Sequence, residues 1–251
     1  MNASFLYQLA AGLFAALVAA VLIVILLGLR QALRRAGRPP GRPLLLTAAG
    51  LLLWLAFTGA LSATGVLDFA TRPPRMLLLL PLPLLATVAL ARSAAVGRLL
   101  DALPPAGLLY LQSMRVVVEL VLWLLYLAGA APVQMTFEGL NWDVLTGLTA
   151  PLVAYLCFTR PRWPWQVAAG WNVVGLALLL NIVTIALLSA PLPIRQFWNE
   201  PANTVVSRFP FAWLPLFIVP VAYTLHVLSW RQLRRRAAAA RVIARPAALV
   251  G

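Results

Sequence analysis

The residues able to do chemistry in this sequence are few, and the densest group lies inside an apolar run. Gln112, Arg115 and Glu119 stand at i, i+3 and i+7 within Leu108–Trp123. On an α-helix that spacing places all three on one stripe, and Arg115 and Glu119, four apart, are expected to pair directly. An arginine at the centre of a membrane span costs about 2.5–3.5 kcal/mol, so the stripe must face protein. Such a pair either pins its helix to the neighbours or serves a bound solute. In the second reading Arg115 contacts a negative charge and Glu119 holds or releases the arginine. Asn172, Asn181 and His226 lie at comparable depth in two other apolar runs. Arg115, Asn172 and His226 are expected to approach one another, with Glu119 and Asn181 nearer the midplane. Together the six residues form a candidate site for a small, anionic solute.

A second group falls in two links, Pro132–Asp143 and Pro191–Asn203. Glu138, Asn141, Asp143 and Glu200 stand there among amides and aromatics, whereas a plain linker favours Gly, Ser and Pro. These four are expected to line an outer mouth able to bind a cation, a polar solute or a partner. Asp143 also sits where it would cap the following helix; Glu138 has no such second role. The single histidine and single cysteine supply no paired ligands for a metal or haem. No cofactor is implied. No nucleophile–base motif occurs either, which makes an enzyme the least favoured reading.

The elements that must position these residues are apolar spans. Of 251 residues, 63% are hydrophobic and 10% charged, against about 25% charged in soluble domains. A bilayer crossing takes roughly 20 apolar residues. Seven runs qualify, at about 5–29, 44–65, 76–92, 107–130, 144–159, 166–190 and 209–230. Helices are expected throughout, because lone apolar segments in lipid must satisfy their own backbones. The reading is therefore an all-α, polytopic seven-helix bundle: one domain over 1–230, then a basic tail over 231–251 that continues the last helix. The first run lacks a basic leader and exceeds a signal h-region, so it is expected to be retained.

Orientation follows from charge. Arg30, Arg34, Arg35, Arg38 and Arg42, then Arg92 and Arg98, then Arg160 and Arg162 fall on alternate links. Arg231, Arg234, Arg235, Arg236, Arg241 and Arg245 follow in the tail. Only Arg72, Arg75, Arg195 and Arg208 fall on the opposite set. The positive-inside rule then places the N-terminus outside and the C-terminus in the cytoplasm. All basic residues are arginine, a bias expected of a GC-rich bacterial genome, so a bacterial inner membrane is the expected location. The net charge of +14 would suit nucleic acid, yet the arginines adjoin apolar runs, which makes the lipid bilayer the partner. Pro215 and Pro220 are expected to kink the last helix and free the carbonyls of Phe211 and Leu216.

Three segments carry a resemblance: Gln134–Gly139, Trp171–Gly175 through Asn181 to Pro191, and Phe209–Pro220 with His226. They resemble an uncharacterised group of bacterial polytopic membrane proteins. That resemblance implies a membrane fold and brings no activity. A retinal protein needs a Schiff-base lysine, which this chain lacks. Repeat-type sugar transporters carry Pro-Gln pairs, also missing. The leading expectation is a transporter or permease-like protein. The alternative is a receptor or assembly subunit that binds at its outer loops and keeps the Arg–Glu pair for structure alone. Substrate, oligomeric state and protein partner are not written in these residues.

Overall fold

Long apolar runs leave the backbone no partner but itself. The computed structural model describes residues 2–71 and 73–244, with side chains through Ala240, and is all-helical over them. Arg72, Arg245 and the rest of the predicted tail to Gly251 lie outside the described residues, as does the Arg241 side chain. α1 (Ala3–Arg35) and α2 (Gly41–Ala63) form the first two long helices. α3 (Arg75–Leu79) and α4 (Pro81–Arg92) are stacked end to end. A short amphipathic α5 (Ala94–Ala102) follows. α6 (Pro105–Leu111) and α7 (Met114–Leu127) again make one interrupted rod, then come α8 (Val144–Ala154) and α9 (Trp165–Ser189). α10 (Val219–Ala244) closes the chain.

Among the described residues six helices are long and apolar enough to cross a membrane: Ala3–Arg35, Gly41–Ala63, Arg75–Arg92, Pro105–Leu127, Trp165–Ser189 and Leu214–Ala240. Their outward faces carry bare leucines, with Leu45 68% and Leu53 69% exposed. An apolar surface of that extent suits a membrane-embedded protein. The expected fifth crossing differs from the rest. α8 has 11 residues and continues into a five-residue π turn, Tyr155–Thr159. At 1.5 Å per residue this segment reaches about 24 Å, short of a hydrocarbon core of about 30 Å. Asp143 ahead of it and Arg160-Pro161 behind it stop its extension.

The ends of the other helices depart from expectation for local reasons. α1 runs past residue 29 through Arg35, because Arg34 and Arg35 suit a helix C-terminus. The rod over Arg75–Arg92 breaks at Leu80, ahead of Pro81 and Pro83. Residues 209–212, expected to open the last helix, form a turn instead, and a π turn at Leu214–Ile218 leads into α10. Pro215 and Pro220 both fall here. The Leu216 carbonyl accepts the Trp54 indole N–H at 2.9 Å, as a proline-freed carbonyl should. The Phe211 carbonyl is instead taken locally by the Leu214 N–H at 2.9 Å. Trp213 Nε1 donates in turn to the Leu55 carbonyl at 3.0 Å, so two indoles lace α2 to the kink.

α7 packs along α1 and against α8, while α10 packs on α4, α6 and α9. One end of the bundle gathers the links 64–74, 128–143 and 190–213. There Ser62 donates to the Ser207 carbonyl at 2.9 Å, and Asn199 Nδ2 donates to Gln134 Oε1 at 2.8 Å. At the opposite, arginine-rich end the tail continues α10 and docks on α5. Arg231 donates to the Ser93 carbonyl at 2.9 Å, and Gln232 to the Leu103 carbonyl at 2.7 Å. Arg235 Nε donates to Asp101 at 2.9 Å. That hydrogen bond holds the Asp101 carboxyl below the usual carboxylate range. The contact is therefore intact above about pH 4 and lost as pH falls through the lowered value.

Close helix approach depends on small residues, and Gly147 shows where. A Cβ there would stand 2.8 Å from Val116 Cγ2 and 2.9 Å from the Val116 backbone nitrogen, pushing α8 off α7. Gly12 has nothing within 4 Å. Gly147→Ala is expected to lose about 1–3 kcal/mol, as overpacking does, and Gly12→Ala to lose nothing. Thermal unfolding of both variants in detergent checks this.

Candidate intramembrane binding site

The predicted stripe is buried. Gln112, Arg115 and Glu119 are 1%, 3% and 3% exposed. The rod that carries them is pinched between α6 and α7. Gln112, Ser113, Arg115 and Val116 donate to carbonyls three residues back, not four, which tightens the helix at that point. Gln112 Nε2 reaches across to the Ala222 carbonyl at 3.2 Å, tying this rod to α10.

Arg115 and Glu119 do not pair. Arg115 Nη1 donates to Asp143 Oδ1 at 2.8 Å and to the Gly175 carbonyl at 3.3 Å. Glu119 accepts instead from Asn141 Nδ2. The same Nδ2 donates to the Met135 carbonyl at 3.0 Å, and Asn141 Oδ1 accepts the Asp143 backbone N–H at 3.1 Å. The link 128–143 thus folds back into the bundle, and Asn141 clamps it so that Asp143 points at the guanidinium. Asp143 occupies the residue before α8 without capping it by its side chain. Its carboxylate is committed to the arginine, which is the stronger bond for a buried acid.

The supposed outer-mouth group is accordingly split. Asn141 and Asp143 are buried, 3% and 8% exposed, and belong to the intramembrane cluster. Glu138 is exposed and accepts the Trp123 indole N–H at 2.7 Å. Glu200 is exposed, pairs with Arg195 at 3.0 Å and accepts the Ala202 N–H at 2.8 Å. The Arg195 guanidinium holds the Glu200 carboxyl below its ordinary range.

His226 and Asn172 meet as expected. His226 Nδ1 lies 2.9 Å from Asn172 Oδ1, while Asn172 Nδ2 donates to the Ala168 carbonyl at 2.8 Å and to Ser229 at 3.0 Å. With the amide so oriented, Nδ1 carries the proton and Nε2 is left as an acceptor. Gly175 lets this ring approach α9: a Cβ at that position would stand 2.5 Å from His226 Cε1. The Gly175 carbonyl is also the one that Arg115 uses, so the histidine pair and the ion pair adjoin through one residue. Asn181 is elsewhere. It is exposed and donates to the Leu140 carbonyl at 3.0 Å.

A cavity of about 450 Å³ opens beside the ion pair, toward the loop-rich end. Arg115, Glu119, Asn141, Asp143, Asn203 and Tyr223 contribute to it; Gln112, Asn172, Asn181 and His226 do not. The rest of its wall is Leu, Met, Ile, Val, Ala, Phe and Pro from α3, α4, α7, α9 and α10 and the segments that adjoin them. The volume falls within the roughly 300–1,000 Å³ of small-molecule sites. Arg115 Nε and Nη2 and Glu119 Oε1 are buried without a hydrogen-bond partner among the described residues. Sequence reasoning missed the roles of Asn141, Asp143 and Tyr223 here. One signal was present: apart from Arg92 at the very end of the third, Arg115 and Glu119 are the only charged residues inside the predicted spans, and Asp143 is the acid outside them nearest a span boundary.

The Arg115–Asp143 assignment predicts a specific coupling. Arg115→Met and Asp143→Leu are each expected to cost about 3–5 kcal/mol, since each leaves a buried charge alone, and the double variant should recover most of that loss. Arg115→Met with Glu119→Leu should show far less recovery. Double-mutant cycles from unfolding in detergent measure both couplings.

No curated protein and no solved structure matches the chain. The profile of a domain of unknown function, DUF8737, matches residues 73–234. That range contains the whole buried cluster, the cavity wall apart from Phe69, and all three segments that carry the resemblance. The match spans well over half of the sequence, and the chain belongs to this family.

Proposed function

We propose that this is a permease-like protein of a bacterial inner membrane, which takes a small solute into the cavity beside Arg115 and Asp143. Seven crossings are part of the proposal, with α8 and its π turn as the short fifth, the N-terminus outside and the C-terminus cytoplasmic. Residues 1–230 act as one unit and the arginine tail as its cytoplasmic extension. The alternation of arginine-rich links supports that orientation. The observation that carries the functional reading is the cavity itself: a small-molecule-sized space reaching the buried guanidinium and two carboxylates.

Within this reading Arg115, Glu119, Asn141 and Asp143 form the polar end, and the remaining predicted residues support it. Gln112 ties the rod to α10, while Asn172 and His226 brace α9 against α10. The solute's expected negative charge is revised by the geometry. Asp143 offsets the charge of Arg115 through Nη1 alone, leaving Nε and Nη2 as donors, while Glu119 has no cation of its own; the two-to-one balance of carboxylates favours a donor or a cation over an anion. The alternative, ligand or partner binding at the outer loops, keeps Glu138 and Glu200, which are exposed though each is hydrogen-bonded within the chain, while Asn141 and Asp143 are buried.

The test is mass spectrometry of small molecules retained by the purified full chain, compared with Ala222→Phe. Ala222 lines the cavity and is 2% exposed, so the added ring fills the space. A molecule kept by the wild type and absent from a folded Ala222→Phe supports the reading; an identical retained set overturns it.

A further inference from the structure

The cavity has two unlike ends. Its polar residues gather at Glu119 and Asn141, while most of the wall is hydrocarbon. A small hydrophilic solute would leave that wall wetted and gain nothing from it. A molecule with an apolar chain and a polar head matches both ends, because transfer of the chain is driven by apolar area and the head meets groups already in place.

The cavity also reaches the lipid-facing surface. Leu84 of α4 and Leu180 of α9 both line it, and both are exposed, 42% and 58%. Their helices each pack on α10, yet they share no substantial contact with each other. Leu84 and Leu180 are thus cavity wall and outer surface at once, so the cavity reaches the exposed face along α4 and α9. A partner helix does not fit: at about 10 Å across and 5.4 Å per turn, roughly one turn would fill the space.

The head must suit the charges it meets. Two carboxylates, Glu119 and Asp143, stand against one guanidinium, and Asp143 holds that guanidinium at 2.8 Å. Glu119 Oε1 is an acceptor without a partner among the described residues, and Arg115 Nε and Nη2 are donors without one. With two carboxylates against one guanidinium, a carboxylate or phosphate head gains less there than an amine or hydroxyl, which supplies the donor that Glu119 lacks; a hydroxyl can also accept from Arg115.

We infer that the cavity takes a single-chain amphiphile from the bilayer, by way of the exposed face along α4 and α9, and seats its amine or hydroxyl head against Glu119 and Asn141. This rests on the reading of the cavity as a solute chamber and narrows its substrate class.

Binding of radiolabelled dodecylamine to the full chain in phosphatidylcholine nanodiscs, over empty nanodiscs, tests it. Dodecanol, dodecanoate and butylamine serve as competitors. The inference expects saturable binding displaced by dodecanol, with dodecanoate and butylamine at least roughly tenfold weaker. Glu119→Gln should weaken dodecylamine by roughly tenfold, the loss of one charge-assisted hydrogen bond, and change dodecanol much less. Leu180→Trp, at an exposed position that folding tolerates, should slow association without changing the order of competitors. Equal competition by dodecanoate or butylamine overturns the inference, as does an unchanged association rate in Leu180→Trp. A water-soluble molecule retained by the wild type and displaced by Ala222→Phe, with no dodecylamine binding, overturns the amphiphile and leaves the chamber. Absence of both overturns the two together.

Discussion

A guanidinium buried among apolar helices must be neutralised by protein, and much of this molecule is arranged to do so. Arg115 sits on the rod that also packs along α1 and α8, so it has no route to water through its own helix. Its counter-ion comes from the link that follows the rod. Because an isolated buried charge costs several kcal/mol, that link is held inside the bundle instead of lying over its end. The positions of Asn141 and Asp143 follow from that requirement: one amide bonds Glu119, the Met135 carbonyl and the Asp143 N–H, and so aims the carboxylate. α8 begins immediately after Asp143, so its starting depth is set by the same ion pair.

The kink in the last helix is held by a comparable compensation. Proline removes backbone donors, and the chain meets the loss with side chains from α2: Trp54 on the Leu216 carbonyl and, in return, Trp213 on the Leu55 carbonyl. Gly59 permits the second contact, since a Cβ there would stand 3.1 Å from the Trp213 ring. Leu214, Pro215, Ile218, Val219 and Pro220 from this region line the cavity. The cavity is thus a consequence of the proline pair and the tryptophan lacing, with the ion pair forming its polar end.

Local patterns read from the residues fared differently from contacts between distant ones. Six of the expected apolar runs are long helices, and the Gln112–Arg115–Glu119 stripe is buried, because both follow from helical periodicity and hydropathy alone. The Asn172–His226 contact was also legible, since depth along two neighbouring helices is set by residue count. The pairing of Arg115 was not. The i+4 geometry with Glu119 was available on the helix, but Asp143, 28 residues on, offers a bond that helix spacing cannot reveal. Asn181 lies away from the cluster for a related reason: its face of α9 points outward, and α9 is apolar nearly all round, which leaves no polar stripe to fix its rotation.

The unequal satisfaction of the buried cluster bears on what it is for. A pair kept only to hold helices together gains most when every lone pair and proton is used, and replacement by packed apolar side chains is often neutral or stabilising. Here Arg115 keeps Nε and Nη2 unpartnered and Glu119 keeps Oε1 unpartnered, next to a cavity that both residues line. Each orphaned polar group costs about 1–3 kcal/mol, and Glu119 offsets part of that cost by accepting from Asn141, the residue that aims Asp143. Scaffolding therefore accounts for one oxygen of Glu119 and leaves the other, with two nitrogens of Arg115, facing the cavity without a partner among the described residues. On the proposed reading, a polar head in the cavity supplies partners for these atoms.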